Sequence, residues 1–132
     1  MKHKLTAAQL QRLLAAAAAA RRHAHAPYSK FRVGAALLAA SGKIYTGVNV
    51  ENASYGLTIC AERVAAGNAV TAGERRIIAV AVVADGAPSP CGACRQVLAE
   101  FGDSIVVCAD PRKPGAARLE QLGDLLPHAF RL

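Results

Sequence analysis

The sequence predicts a three-layer α/β/α sandwich around a mixed sheet of about five strands, with residues 1–132 forming one domain. Three observations carry that expectation. Two continuous apolar runs of strand length, in RRIIAVAVVAD and SIVVCA, have the pattern of strands covered on both faces. Helix-forming segments alternate with them, which favours βαβ crossovers, some parallel pairing and helices on both sides of the sheet. Neither an internal repeat nor a Pro/Gly-rich linker divides the chain.

The elements follow in the order α-ββ-α-β-α-β-α. Thr6-Ala-Ala-Gln9 has the form of a capping box, and LQRLLAAAAAARRHAH after it is rich in strong helix formers, so a first helix is expected over Thr6–Ala24, stopped by Pro27. The alanines at 15–20 fit close helix packing and carry no chemistry. VGAALLAASGKIYTGVNV reads as two strands joined at Ser41-Gly42. Cys60 to about Thr71 is helical in composition, with Val64, Ala65 and Val70 as its expected apolar face and Gly73 as its stop. RRIIAVAVVAD is expected at the centre of the sheet. CGACRQVLAEFG forms a helix ending at Gly102, SIVVCA a further buried strand, and LEQLGDLL a closing helix or strand-helix segment.

Composition narrows the class of partner. No apolar run approaches the ~20 residues that cross a bilayer, and the N-terminal stretch lacks a signal-peptide pattern, so no membrane and a cytoplasmic setting are expected. The formal charge of +7 raises the question of nucleic acid. The basic residues are scattered apart from Arg21-Arg22, Arg75-Arg76 and Arg112-Lys113, and only six aromatics are available to stack bases, which argues for a solvated basic surface instead.

In a reducing compartment the four cysteines point to metal or core positions before disulfides. Cys91 and Cys94 stand three apart at a helix start behind Pro90 and share one face. A C-x-x-C of this kind can be a redox dithiol, half of a structural zinc site, or part of a catalytic one. Cys60 also precedes a helix, and a helix N-terminus favours the thiolate that a metal requires. If the two helix starts meet, Cys60, Cys91 and Cys94 give Zn²⁺ three ligands and leave a fourth position for water; were Cys108 the fourth ligand, the site would be structural. Cys108 lies inside an apolar run, where a cysteine packs as a small hydrophobe. A dithiol reading leaves Cys60 and Glu62 without roles. Glu62, two residues after Cys60, can approach the open position as a general acid/base, although a Glu in a first turn also serves simply to offset the helix dipole. His23 and His25 sit at the end of the first helix and are not needed as ligands.

Cys60-Ala-Glu62 with Pro90-Cys91-Gly-Ala-Cys94 resembles the zinc nucleoside deaminases. The segments PYSKFRVGAALL, GVNVENASYG, CAERVA, SPCGACRQVL and LLPHAF, in that order, are similar to the small homotetrameric cytidine deaminases over Pro27 to Phe130. The resemblance implies hydrolytic deamination of cytidine and 2′-deoxycytidine to the uridines and ammonia, in pyrimidine salvage, with one zinc per subunit. It implies that Cys60, Cys91 and Cys94 bind the metal and that Glu62 shuttles protons. Asn49 and Glu51 would hydrogen-bond the ribose, Phe31 would line the nucleoside pocket, and the backbone around Ala61 would touch the pyrimidine. Ala53 and Tyr55 would reach the site from a neighbouring subunit and Phe130 from another, so that the homotetramer shares its active sites. Arg63 would hydrogen-bond the zinc thiolates. Arg32, where many relatives carry proline, and His128, where a small residue is frequent, depart from the pattern without removing chemistry. Polynucleotide editing is the rival activity, against which Asn49, Glu51 and Phe130 argue for an enclosed nucleoside.

Overall fold

The computed structural model describes residues 4–132. Helix α1 (Ala7–Arg21) opens with the expected capping box: the Thr6 hydroxyl accepts the Gln9 N–H, and the Gln9 side chain accepts the Thr6 N–H. It ends before the expected Ala24. The reason is tertiary: His25 donates its N–H to the Asn49 carbonyl and accepts the Glu51 N–H, and this pairing replaces a further helical turn.

Strands β1 (Gly34–Ala39) and β2 (Ile44–Val48) form the expected hairpin, turning at Gly42, whose φ of +91° suits glycine. Helix α2 (Ala61–Thr71), strand β3 (Ile77–Val83), helix α3 (Gly92–Ala99), strand β4 (Ile105–Ala109), strand β5 (Arg118–Gln121) and the single turn α4 (Leu122–Leu125) follow. The last two resolve LEQLGDLL as a strand that runs directly into a helix. The sheet order is β2-β1-β3-β4-β5, with β3 central as its apolar run requires, and only β3 and β4 pair in parallel. The sheet is therefore mixed and five-stranded.

Alternation along the strands builds two cores. On one face Leu13 and Ala17 of α1 pack against Ala36, Leu38, Ala81 and Val107. On the other, α2, α3 and α4 cover Ala35, Leu37, Val80, Val82, Val106 and Cys108. Cys108 is fully buried there, as a packing residue.

The buried face of α2 keeps Ala65 as expected but is otherwise different: it is completed by Ala61, Glu62, Ala66 and Ala69, while Val64 and Val70 lie at its margins. Close approach explains the preference for alanine. A Cβ on Gly47 of β2 would stand 2.4 Å from the Ala65 nitrogen and 2.5 Å from the Ala61 carbonyl oxygen, so helix and strand meet backbone to backbone. Gly34 makes the equivalent contact on the opposite face, where a Cβ would lie 2.0 Å from the Ala17 carbonyl oxygen.

Candidate active site

The N-termini of α2 and α3 converge, and each begins with a cysteine at its N-cap position. Cys60 and Cys91 are held outside their helices in extended conformation, while Cys94 lies in the first turn of α3. The three Sγ atoms lie within 4.8 Å of one another, the one such group of potential ligands among the described residues. Neither His23, His25 nor Cys108 joins it. A dithiol made of Cys91 and Cys94 alone does not account for a third sulfur at this distance.

Zinc fits the donor set. Bonds of ~2.3 Å in a tetrahedron place two sulfurs about 3.8 Å apart, and Cys60 Sγ and Cys91 Sγ are 3.8 Å apart. The Cys94 N–H already points at Cys91 Sγ, 3.5 Å away, as helix-end amides do toward an anion. Electrostatics favour ionised sulfur at Cys60, whose pKa is pulled down to about 5 by the hydrogen bond from Cys94 and by the Arg63 guanidinium, against the opposing effect of burial. Cys94 is driven far up by its interaction with the Cys60 sulfur and by burial, so Cys60 is the one of the two that ionises first. Arg63 Nη2 lies 3.3 Å from Cys60 Sγ, and its Nε is buried without a partner, a donor left over for a more negative cluster. Three thiolates on a divalent ion carry a net charge of −1, which this guanidinium offsets.

Glu62 occupies the first turn of α2 and is 4% exposed. Burial pushes its carboxyl pKa upward, and the negative Cys60 adds to the effect. A carboxyl in this state holds a proton far more readily than one in water.

A pocket of about 280 Å³ opens beside the sulfurs and is lined by Cys60, Ala61, Glu62, Phe31, Asn49 and Glu51, among others. The structure thus brings together the zinc ligands, the acid/base candidate and four of the expected substrate contacts from segments far apart in sequence. Asn49 accepts the Val33 N–H at 2.9 Å and donates to the Phe31 carbonyl at 2.7 Å, clasping the segment that carries Phe31 just before β1. Glu51 accepts the N–H groups of Tyr28 and Ser29 and the Ser29 hydroxyl, which hold its carboxyl below the usual range. Ser29 is a pocket residue that sequence reasoning passed over. It stands inside PYSKF, but nothing in its spacing marks it as the hydroxyl that orients Glu51.

Three expected contacts lie outside this pocket. Ala53 is on an exposed loop, Tyr55 is 75% exposed beside Tyr28, and Phe130 is 71% exposed near the C-terminus. Of the two departures, Arg32 is exposed, with its guanidinium on the Arg22 carbonyl, and His128 lines a separate cleft beside Arg131.

The chain matches the cytidine and deoxycytidylate deaminase zinc-binding region over residues 7–110. It is 49% identical to the cytidine deaminase of Sporosarcina psychrophila over 123 residues, covering 92% of this chain and 90% of that protein. Identity to the cytidine deaminase of Halalkalibacterium halodurans is 47% over 122 residues, 91% of this chain and 92% of the relative. The crystal structure of cytidine deaminase from Burkholderia pseudomallei superposes with a TM-score of 0.86 at 49% identity, covering 96% of this chain and all of the other. With its three sulfurs set for a tetrahedral ion beside a buried carboxyl, the chain belongs to the cytidine and deoxycytidylate deaminase zinc-binding family.

Proposed function

We propose that this chain is a zinc-dependent cytidine deaminase acting on both cytidine and 2′-deoxycytidine, in the salvage of pyrimidines. The observation that carries the reading is Glu62, a buried carboxyl with a raised pKa, beside a three-sulfur cluster whose Cys60 and Cys91 line the pocket that also holds Asn49 and Glu51. Cys60, Cys91 and Cys94 hold the ion; when bound, zinc supplies a Lewis acid that makes water nucleophilic near neutral pH.

The remaining work falls to the chain. Glu62 takes the proton that the attacking water gives up and delivers it to N3 of the cytosine as the C4–O bond forms. It then passes the water's second proton to the exocyclic nitrogen, which leaves as ammonia when the C4–N bond breaks, so that one water and one cytidine give one uridine and one ammonia. Asn49 and Glu51 orient the sugar: the amide keeps one N–H and one lone pair free beyond its bonds to Phe31 and Val33, and the Glu51 carboxylate is an acceptor for a ribose hydroxyl. Phe31 forms an apolar wall, and the Ala61 backbone faces the base.

The exposed Tyr55 and Phe130 support an assembly in which each reaches a neighbouring copy's pocket, with Ala53 beside Tyr55, as in a homotetramer with shared sites. Nucleic acid is not a partner in this reading, and no helix among the described residues is long and apolar enough to cross a membrane.

The test is turnover of cytidine and deoxycytidine, followed by loss of the amino group, before and after zinc removal and in Glu62→Gln. The variant should retain one zinc per chain and lose ~10²–10⁴-fold in kcat. Near-normal kcat in Glu62→Gln would sink the mechanism.

A further inference from the structure

Helix α3 begins at the sulfur cluster and ends against the C-terminal segment, and two successive side chains on it tie those ends together. The Arg95 guanidinium donates from Nε to the Pro90 carbonyl and from Nη1 to the Leu125 carbonyl, each at 2.8 Å. Pro90 immediately precedes Cys91, whose backbone stands outside the helix. The Pro90 carbonyl is therefore a direct handle on where Cys91 Sγ sits. Gln96 then holds the tail from both sides: its Nε2 donates to the Phe130 carbonyl at 3.0 Å, and its Oε1 accepts the Phe130 N–H at 3.3 Å. Beyond Leu125 the chain joins no strand or helix; Leu126 and Ala129 pack against the core, and these side-chain bonds, with the Arg131 guanidinium on the Ala99 carbonyl at 3.2 Å, tie the tail to α3.

We propose that Arg95 and Gln96 form a clasp that makes the geometry of the metal site and the placement of Phe130 depend on each other, Arg95 being a positioning residue for Cys91. The inference rests on the zinc reading above. An ion shared by Cys60 and Cys91 tethers the start of α3 to α2 and fixes the Pro90 carbonyl. Arg95, a planar fork with donors at set angles, then has one fixed end and locks the Leu125 carbonyl with the other; a lysine ammonium has no such fork. With α4 held, the tail is delivered to Gln96. Linkage makes the effect reciprocal: whatever factor zinc adds to tail docking, tail docking adds to zinc affinity.

The experiment is hydrogen exchange of residues 127–132 in the purified full chain, zinc-loaded and chelated, together with zinc affinity by chelator competition. Zinc removal should speed tail exchange about tenfold or more while β3 stays protected. Arg95→Gln should weaken zinc by ~10–100-fold, the usual effect of losing a group that orients a ligand, and should free the tail even at saturating zinc. Arg95→Lys should recover only part of that affinity. Gln96→Leu should abolish the dependence of tail exchange on zinc, whereas Gly34→Ala, which destabilises the far face of the sheet, should leave that dependence intact. Tail exchange that ignores zinc in the unmodified protein, or full zinc affinity in Arg95→Gln, overturns the clasp. Because the first measurement needs no variant, a misfolded Arg95→Gln does not rescue it. A protein that binds no zinc overturns the functional reading and the clasp together; one that binds zinc and turns over cytidine with a zinc-insensitive tail overturns the clasp alone.

Discussion

Adding one methyl group at Gly47 should damage the metal site from behind. The new Cβ would meet the Ala65 nitrogen at 2.4 Å and the Ala61 carbonyl oxygen at 2.5 Å, where ordinary contact begins near 3.4 Å. Both partners are backbone, so α2 must move away from β2 by about 1 Å, a shift several times the ~0.2 Å tolerance of metal–ligand distances. The N-terminus of that helix carries Cys60, Ala61 and Glu62. Overpacking of this kind costs about 1–3 kcal/mol. With an unfolding entropy of about 0.28 kcal/mol/K for a chain of this length, Tm should fall by about 4–11 °C. Gly34→Ala is the internal control: its Cβ would strike the Ala17 carbonyl at 2.0 Å, an equal or worse clash that displaces α1 on the face away from the site. Melting curves and zinc affinity by chelator competition are measured for both variants. Both should melt early, and only Gly47→Ala should lose zinc affinity, by tenfold or more. Unchanged affinity in Gly47→Ala, or equal losses in the two variants, would refute the claim that this helix–strand contact sets the site.

Further outcomes follow from single residues. Cys108, fully buried, should react with a thiol reagent only on unfolding, and Cys108→Ala should keep its zinc, as metal analysis would show. Burial pushes that thiol up to about 11, while the unfolded chain ionises near pH 8.5. The unfolded state therefore loses its proton first, and the Cys108 thiol subtracts stability from about pH 8.5 to about 11 and not below, a loss absent from Cys108→Ala in urea titrations. Asp110 is held well below the usual carboxylate range by the Arg112 guanidinium and the N–H groups of Arg112 and Gly86. Its stabilisation is present above pH ~4 and fades as the pH falls, so Asp110→Asn should be less stable than the parent at pH 7 and converge with it in acid denaturation. Ser104 Oγ is buried without a partner, while its backbone carbonyl accepts the Leu122 N–H. Ser104→Ala removes the stranded hydroxyl and keeps that bond, so thermal unfolding should show a gain of about 1 kcal/mol.

What could be read from the sequence was whatever local chemistry dictates. The Thr6 capping box, the Gly42 turn and the central β3 follow from propensity, glycine geometry and an apolar run, and all three are present. The meeting of Cys60, Cys91 and Cys94 was legible because a metal site needs particular atoms at particular spacings, and Glu62 could be placed beside them from its two-residue offset to Cys60. The misjudged features depend on contacts between distant segments. Nothing local to α2 says that its buried face should be alanine; Gly47 on another element decides it. The early end of α1 reflects the pairing of His25 with Asn49 and Glu51. Ser29 and Arg95 went unremarked for the same cause, since a hydroxyl aimed at a carboxylate and a guanidinium bridging two carbonyls have no spacing rule.

The start of α2 carries two acids that ought to behave alike, Cys60 at the cap and Glu62 in the first turn, and the proposed chemistry turns on their divergence. A helix N-terminus lowers the pKa of any nearby anion, so Cys60 and Glu62, two residues apart, start with the same bias. Cys60 keeps it, because it sits at the cap with the Cys94 thiol and Arg63 as donors, and falls to about 5. Glu62 turns into the protein, where burial outweighs the helix and raises its carboxyl. Sulfur is thereby ready to bind a cation while carbon-bound oxygen beside it is ready to carry a proton. Were Glu62 at the half-buried cap and Cys60 in the buried turn, the same two side chains would give a salt-bridging carboxylate and an inert thiol. In the proposed reaction these opposed environments are what divide the work of ligand and proton carrier between two residues that share one helix start, and the residue types only permit it.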